Sequence, residues 1–499
     1  MNSFFNIISS DEAIKLFDEN KGRLVTENPL SLAYLVSASY LQNNKNIVIV
    51  ASSLYSAQIL YEQISSIIGE ENCLLFPVDE IFHQTNYSYS KEMLSQRLFV
   101  MDKCLDNQKR ILITHVDGIT RYLPDPNLYK KNTLFLEKGQ SYNLKLLVNQ
   151  LMNMGFIRVN KIDQSLQFAL RGDILDIFPI NEDQPIRVEF FDDEIESIRF
   201  FEIENQISIQ EINSVKVFPA TDLIVEDFDL GKKLIEEKLS NDIKKLSIKE
   251  RETLIKKVYS DLEQMESFSF DENYYCYFHF FQKTHYSILD YFNCEKIIIY
   301  QKEEVEKYIE TQEQERIQII DELYQNGLSL KDYFHSATLN KVIKEPLYTH
   351  GYFLQEDDYF LEIKNIPFFA NGISSSLNLI DEYSKNGYKI IICLKENFSK
   401  YRDFLSDNEI EFEILKEGEI PNRIGLLDYD LKSGFIYKNK IVFLSKKEIF
   451  NYKQNLTIFS SRYKKASIIN TFEELQIGDY VVHEENGIGK YEGIITMEA

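Results

Sequence analysis

Tryptophan is absent from the 499 residues, and glycine (18) and proline (10) are scarce, which with 44% hydrophobic and 27% charged residues argues against long disordered or fibrous segments. Cysteine is also sparse. Cys73, Cys104, Cys276, Cys294 and Cys393 lie apart with no CxxC spacing, and the seven histidines show no HxxxH pair, so neither a zinc site nor a disulfide framework is expected and the thiols read as reduced. No apolar run approaches the roughly 18 residues of a membrane span, and Met-Asn-Ser-Phe-Phe-Asn lacks the basic start of a signal peptide, so no membrane partner and a cytoplasmic location are expected. Basic residues are outnumbered 55 to 79 by acidic ones, a net charge of −24, which argues against a chain that wraps nucleic acid along its length and favours protein partners. Gly-Lys-Ser and Gly-Lys-Thr occur nowhere. The stretch 26–40 (TENPLSLAYLVSASY) puts apolar side chains where a phosphate loop would need glycine amides, and Gly489-Lys490 is followed by Tyr491 in a strand turn. ATP hydrolysis by this chain is therefore not expected.

What is present is long enough for several cores in series. The β-branched run Ile47–Ala51 reads as a parallel strand covered on both faces, followed by a helix capped at Ser52 or Ser53 and stopped at Gly69. Strands at 73–78 and 111–114 bracket a helix over Lys91–Cys104, giving a first α/β domain over 1–126. Over 127–210 the pattern becomes α+β, with one helix at 142–154 and alternating strands. Residues 211–345 read as largely helical and charged, with one apolar strand at 296–300; 346–455 as a small α/β domain with a helix at 375–386 and a strand at 390–394; 456–474 as a linker; and 475–499 as the start of a glycine-punctuated barrel.

The most informative segment is 155–199, GFIRVNKIDQSLQFALRGDILDIFPINEDQPIRVEFFDDEIESIR. As a strand, Ile186–Phe191 points Arg187, Glu189 and Phe191 to one side and Val188 and Phe190 to the other. By composition alone the first side is either a solvated face or a binding surface, since arginine beside an aromatic is typical of hot spots.

The RGDxxxIFP and IRVEFFxDEIxxIR blocks resemble the domain shared by the nucleotide-excision-repair protein UvrB and the transcription-repair coupling factors. That resemblance implies binding of UvrA through Arg158, Arg171, Arg187, Glu189 and Phe191. Ala169 stands where UvrB carries another arginine, which would weaken that contact, and Ile207 replaces an arginine of the coupling factors, which is expected to touch local packing. Weaker blocks extend the likeness: Phe76-Pro77 with Glu80, Gln96-Arg97-Leu98, the run Leu431 to Phe435, and Glu448-Ile449-Phe450. The block IGDYVVHEENGIGKYEGI at 477–494 is similar to the opening of a CarD-like, polymerase-interacting domain. The resemblance assigns Gly487, Ile488, Gly489, Tyr491, Ile494 and Met497 to contact with the RNA polymerase β subunit, and reads His483 as structural. It implies a degenerate P-loop-NTPase-like α/β domain with an inserted UvrB-type α+β domain, a further α/β domain and the beginning of a small β-barrel. It also implies that ATP, magnesium and double-stranded DNA belong mainly to translocase domains beyond this sequence. The alternative is a UvrB-type ATP-dependent helicase that verifies damage. Against it stand the absent phosphate loop and the mere fifteen or so residues between Glu80 and Gln96, including Tyr87 and Tyr89, too few for a strand-separating hairpin.

Overall fold

The computed structural model describes residues 8, 10–26, 28–78, 90–268, 272–331, 337–351, 355, 357–367, 372–416, 418–438, 440–450, 480–483 and 487–490. The chain divides into two compact units, Met1–Gln454 and Asn455–Ala499.

At the centre of the first unit is a seven-stranded, wholly parallel sheet in the order Asp358–Tyr359, Arg23–Val25, Leu347–His350, Lys296–Ile299, Ile47–Ala51, Ile111–His115, Cys73–Leu75. Its central strands are buried end to end, as their unbroken apolar sequence requires. Alternate side chains feed two different cores. Val48, Val50 and Leu112 join one cluster, while Ile47, Ile49, Ile111 and Ile113 join the other. The helix after the second strand is Leu54–Ile68, with Ser53 accepting from the Ser56 amide, and Gly69 closes it at φ 91°.

Between the strands Ile111–His115 and Lys296–Ile299 the chain leaves this sheet and builds a six-stranded one: Ser208–Ile212, Glu194–Phe201, Ile186–Phe191, Ile174–Ile177, Gln167–Arg171, Ile157–Arg158. Leu144–Asn153, a helix one or two residues shorter at each end than its apolar pattern suggests, packs Leu147, Val148 and Leu151 into the shared core. Two boundaries move relative to the sequence reading. The α+β domain does not end at 210: the edge strand runs to Ile212, and Ser214–Val217 returns to pair antiparallel with Leu134–Glu137. The next α/β domain does not begin at 346 either, because Leu347–His350 and Asp358–Tyr359 belong to the first sheet. Short strands of that kind carry too few residues to reveal which sheet they join.

Helices Phe228–Asp242, Ile248–Phe268 and Lys302–Gln325, with the 3-10 segment Glu272–Phe281, surround their own aromatic core. The third sheet, Ile363–Asn365, Phe435–Tyr437, Ile441–Leu444, Lys389–Cys393, Ile424–Leu427, Glu413–Leu415, shares its apolar face with the first domain, where Phe435 meets Tyr34 at 4.5 Å between ring centroids. Two of the weak sequence blocks meet here. Glu448, buried, accepts the Gly434 amide at 2.9 Å and both the amide and hydroxyl of Ser445, so it ties the loop before one strand to the start of the helix Lys446–Phe450.

A buried ionic cluster joins the inserted domain to its host. Asp222 accepts Arg97 Nε at 2.7 Å and Arg121 Nε at 3.3 Å, with all three side chains almost fully enclosed. Burial alone would raise the Asp222 carboxyl, but Arg121 and Arg97 outweigh it and hold the group below the ordinary carboxylate range. In the second unit Tyr480–His483 and Gly487–Lys490 form an antiparallel pair, with His483 opposite Gly487. No helix among the described residues is long and apolar enough to cross a membrane.

Candidate functional site: the outer face of the inserted sheet

Strand Ile186–Phe191 has the alternation its sequence dictates. Ile186, Val188 and Phe190 are buried in the core, whereas Arg187 and Glu189 are half-buried on the outer face and Phe191 is 73% exposed. The partner strand Glu194–Phe201 would not match it by period alone. Ile195 pairs with Phe190 and points inward, but a bulge between Ile195 and Ser197 resets the register, so that Ser197 faces Glu189 and Arg199 faces Arg187. Without that extra residue Arg199 would point into the core and Ile198 to the outside. The tight turn between the strands uses Asp192 at φ 53°, a conformation that aspartate tolerates.

Charges cross the outer face in a row set by register: Asp176 opposite Arg187, Arg187 opposite Arg199, and Arg199 opposite Glu211. Asp176 is buried, and Arg187 holds it bidentately, Nε to Oδ1 at 2.7 Å and Nη2 to Oδ2 at 3.0 Å. Arg187 also donates to Gln206 Oε1 at 3.2 Å, and its guanidinium stacks 4.4 Å from the centroid of Phe201. Arg171 reaches the same Asp176 from a half-exposed position. In the adjoining row Glu189 accepts from Ser197 Oγ at 2.9 Å and pairs with Arg199.

The face thus brings together Arg171, Arg187, Glu189 and Phe191. It does not include Arg158. That residue lies on the short edge strand opposite Phe168, whose side chain enters the core, so register assigns Arg158 to the other side of the sheet, exposed at its rim. Arg187, assigned by resemblance to the partner-binding surface, has a side chain only 15% exposed that donates to Asp176 and Gln206. Asp176, Ser197 and Phe201 were missed by sequence reasoning, and so was the role of Arg199, which closes the quoted block. Ala169 is buried opposite Asp176, against Ile162 and Phe201, so a longer side chain there would displace this packing. Ile207 is 62% exposed, outside the core.

Where a phosphate loop would precede the first long helix, Pro29–Asn43, the helix start is occupied from within. Asn28 Oδ1 accepts the Ser31 amide at 2.9 Å, Pro29 contributes no N–H, and Asn28 Nδ2 donates to the Ile363 carbonyl at 2.9 Å. No group of three or more metal-ligating side chains occurs among the described residues. Of the residues expected to meet polymerase, Gly487, Ile488 and Gly489 lie in the final strand; Tyr491, Ile494 and Met497 lie outside the described residues, as do Glu80, Tyr87, Tyr89 and the linker at 456–474.

The inserted six-stranded sheet, 157–212, falls within residues 134–223, which match the family described as UvrB interaction domain, and residues 475–499 match the CarD-like/TRCF RID domain. The chain is therefore similar to a UvrB interaction domain over one segment and to part of a CarD-like domain over another. Its curated relatives include the transcription-repair-coupling factors of Bacillus subtilis (27% identical, covering 93% of this chain and 41% of the relative), Staphylococcus epidermidis (25%, 99% and 44%) and Staphylococcus haemolyticus (25%, 98% and 44%). Over nearly its whole length the chain is thus related to transcription-repair-coupling factors, and it spans about two fifths of the length of those it matches.

Proposed function

We propose that this chain acts without catalysis of its own, as the part of a transcription-repair-coupling factor that recruits UvrA to a stalled RNA polymerase. The observation that carries the reading is the outer sheet face. Phe191, the most exposed aromatic among the described residues of the inserted domain, lies on the same outer face as half-exposed Arg171, two strands away, and buried Asp176 braces that face by pairing with Arg171 and Arg187. An exposed aromatic and an arginine on one face are the residue types that dominate interfaces. Arg187 and Glu189 serve this surface by fixing the hairpin, and Arg171 and Phe191 meet the partner directly.

The occupied helix start at Asn28–Ser31 supports the reading that ATP and magnesium act elsewhere in the whole protein, in translocase domains that would also carry the main contact with double-stranded DNA. The CarD-like segment supports a tether to the polymerase β subunit through an exposed strand edge. Isothermal titration with UvrA tests the central claim: Phe191→Ala and Arg171→Ala are expected to weaken binding at least tenfold while the melting temperature holds. Unchanged affinity in both variants would remove the sheet face from the mechanism.

A further inference from the structure

The turn between helices Phe228–Asp242 and Ile248–Phe268 is an exception to the acidity of the chain. Residues 244–257 (KKLSIKERETLIKK) contain six basic residues against two acidic ones, in a chain of net charge −24. Along the hairpin body the lysines are neutralised: Lys232 pairs with Glu266, Lys233 with Glu237, Lys238 with Asp242 and Lys257 with Asp261. Towards the tip they are not. Lys244, which donates to Asn241 Oδ1 at 3.0 Å, Lys245 and Lys249, and Lys256 two turns further along the second helix, are exposed and have no ion-pair partner among the described residues, and Ile248 at the start of that helix is 75% exposed.

The tip is also held firmly. Asp242 accepts the Lys331 amide at 2.8 Å through its carboxylate and the Tyr324 hydroxyl at 2.8 Å through its carbonyl, and Arg251 Nε donates to the Ile243 carbonyl at 3.1 Å. Gly327, at φ 69°, lets the end of the helix Lys302–Gln325 press against Glu250, where a Cβ would come within 2.3 Å of the Glu250 carbonyl oxygen. The one arginine of the segment is thereby spent on structure, leaving lysines alone to face solvent.

We propose that this helical tip contacts duplex DNA through its phosphates, without reading sequence. Lysines are point charges on flexible stems, suited to phosphate oxygens spaced along a backbone, whereas recognition of an acidic protein surface favours the bidentate fork of arginine. Exposed Ile248 offers an apolar contact beside them. The acidic remainder of the chain would repel DNA and so restrict the contact to this end. The inference goes beyond UvrA recruitment and does not depend on it.

The test is fluorescence anisotropy of a labelled random-sequence duplex titrated with the full chain at low salt. Binding is expected in the micromolar to submillimolar range, with a log–log salt slope of roughly −3 to −4 for four phosphate contacts. The fourfold variant Lys244→Glu, Lys245→Glu, Lys249→Glu, Lys256→Glu should lose at least tenfold in affinity and flatten the slope, with circular dichroism and UvrA affinity unchanged. Four single Lys→Ala variants, each lowering the slope by about one, guard against misfolding of the multiple variant. Absence of duplex binding by the unmodified chain, or equal binding by the variants, would overturn the proposal. So would displacement of the DNA by polyglutamate at equal charge concentration, which would mark the tip as a site for an acidic protein.

Discussion

Removing the Arg187 guanidinium and removing the Phe191 ring should have opposite signatures, although the two residues lie on one face of one strand. Arg187→Ala deletes two charge-assisted hydrogen bonds to a buried carboxylate and the stack on Phe201. Breaking a buried ion pair costs roughly 3–5 kcal/mol, because the remaining charge is left desolvated. Asp176 retains Arg171, whose side chain is 48% exposed and therefore offers a solvent-screened replacement. The expected loss of stability is thus about 2–3 kcal/mol, below the full figure for a stranded charge. Phe191→Ala removes a ring that is 73% exposed, so stability should change by no more than about 0.5 kcal/mol. UvrA binding should nonetheless fall by about 2 kcal/mol, near thirtyfold, if the ring fills a pocket in the partner. Urea unfolding followed by circular dichroism, together with calorimetric titration of UvrA, reads both quantities. Lowering the denaturant midpoint should be confined to Arg187→Ala, and loss of affinity in excess of any lost stability to Phe191→Ala. A neutral Arg187→Ala in the unfolding assay would refute the assignment of that arginine to structure, and a Phe191→Ala variant with full affinity would refute the binding face.

Further expectations concern the frame around the face. Asp222→Asn leaves Arg97 and Arg121 buried without their carboxylate and should destabilise the first unit by roughly 3–5 kcal/mol, measured by urea unfolding. Because the Asp222 carboxyl is depressed in the folded chain, its contribution is complete above the ordinary aspartate value of 3.8 and disappears as pH falls through the lower folded value; acid titration of the unmodified chain should show this loss, and the Asn variant should lack it. Gly434→Ala places a Cβ 2.5 Å from the Phe443 carbonyl and 2.6 Å from Glu448 Oε2, which should cost about 1–3 kcal/mol, visible as a lower melting temperature. ATP with magnesium should give no saturable thermal shift, since Asn28 and Pro29 occupy the helix start where phosphate would bind; a shift that saturates in the micromolar range would contradict that reading.

The sequence by itself determined the elements whose signals are local: the buried strand Ile47–Ala51, the capped helix Leu54–Ile68 closed by Gly69, and the two-sided alternation of Ile186–Phe191. Period and capping depend on residues only a few positions apart, so no knowledge of the rest of the fold is needed to read them. The two quoted blocks were equally legible as a resemblance, because they are contiguous. Tertiary structure decided what depends on partners distant in sequence. Nothing local tells that Arg97 and Arg121 share Asp222 across more than a hundred residues, or that Asp358–Tyr359 extends a sheet begun at Arg23–Val25. Pairing also decided the face itself. The bulge before Ser197 turned Arg199 outward, the register of the short strand Ile157–Arg158 put Arg158 on the other side, and Asp176 drew Arg187 inward, so that of two residues with the same sequence parity one became a brace and the other, Phe191, stayed exposed.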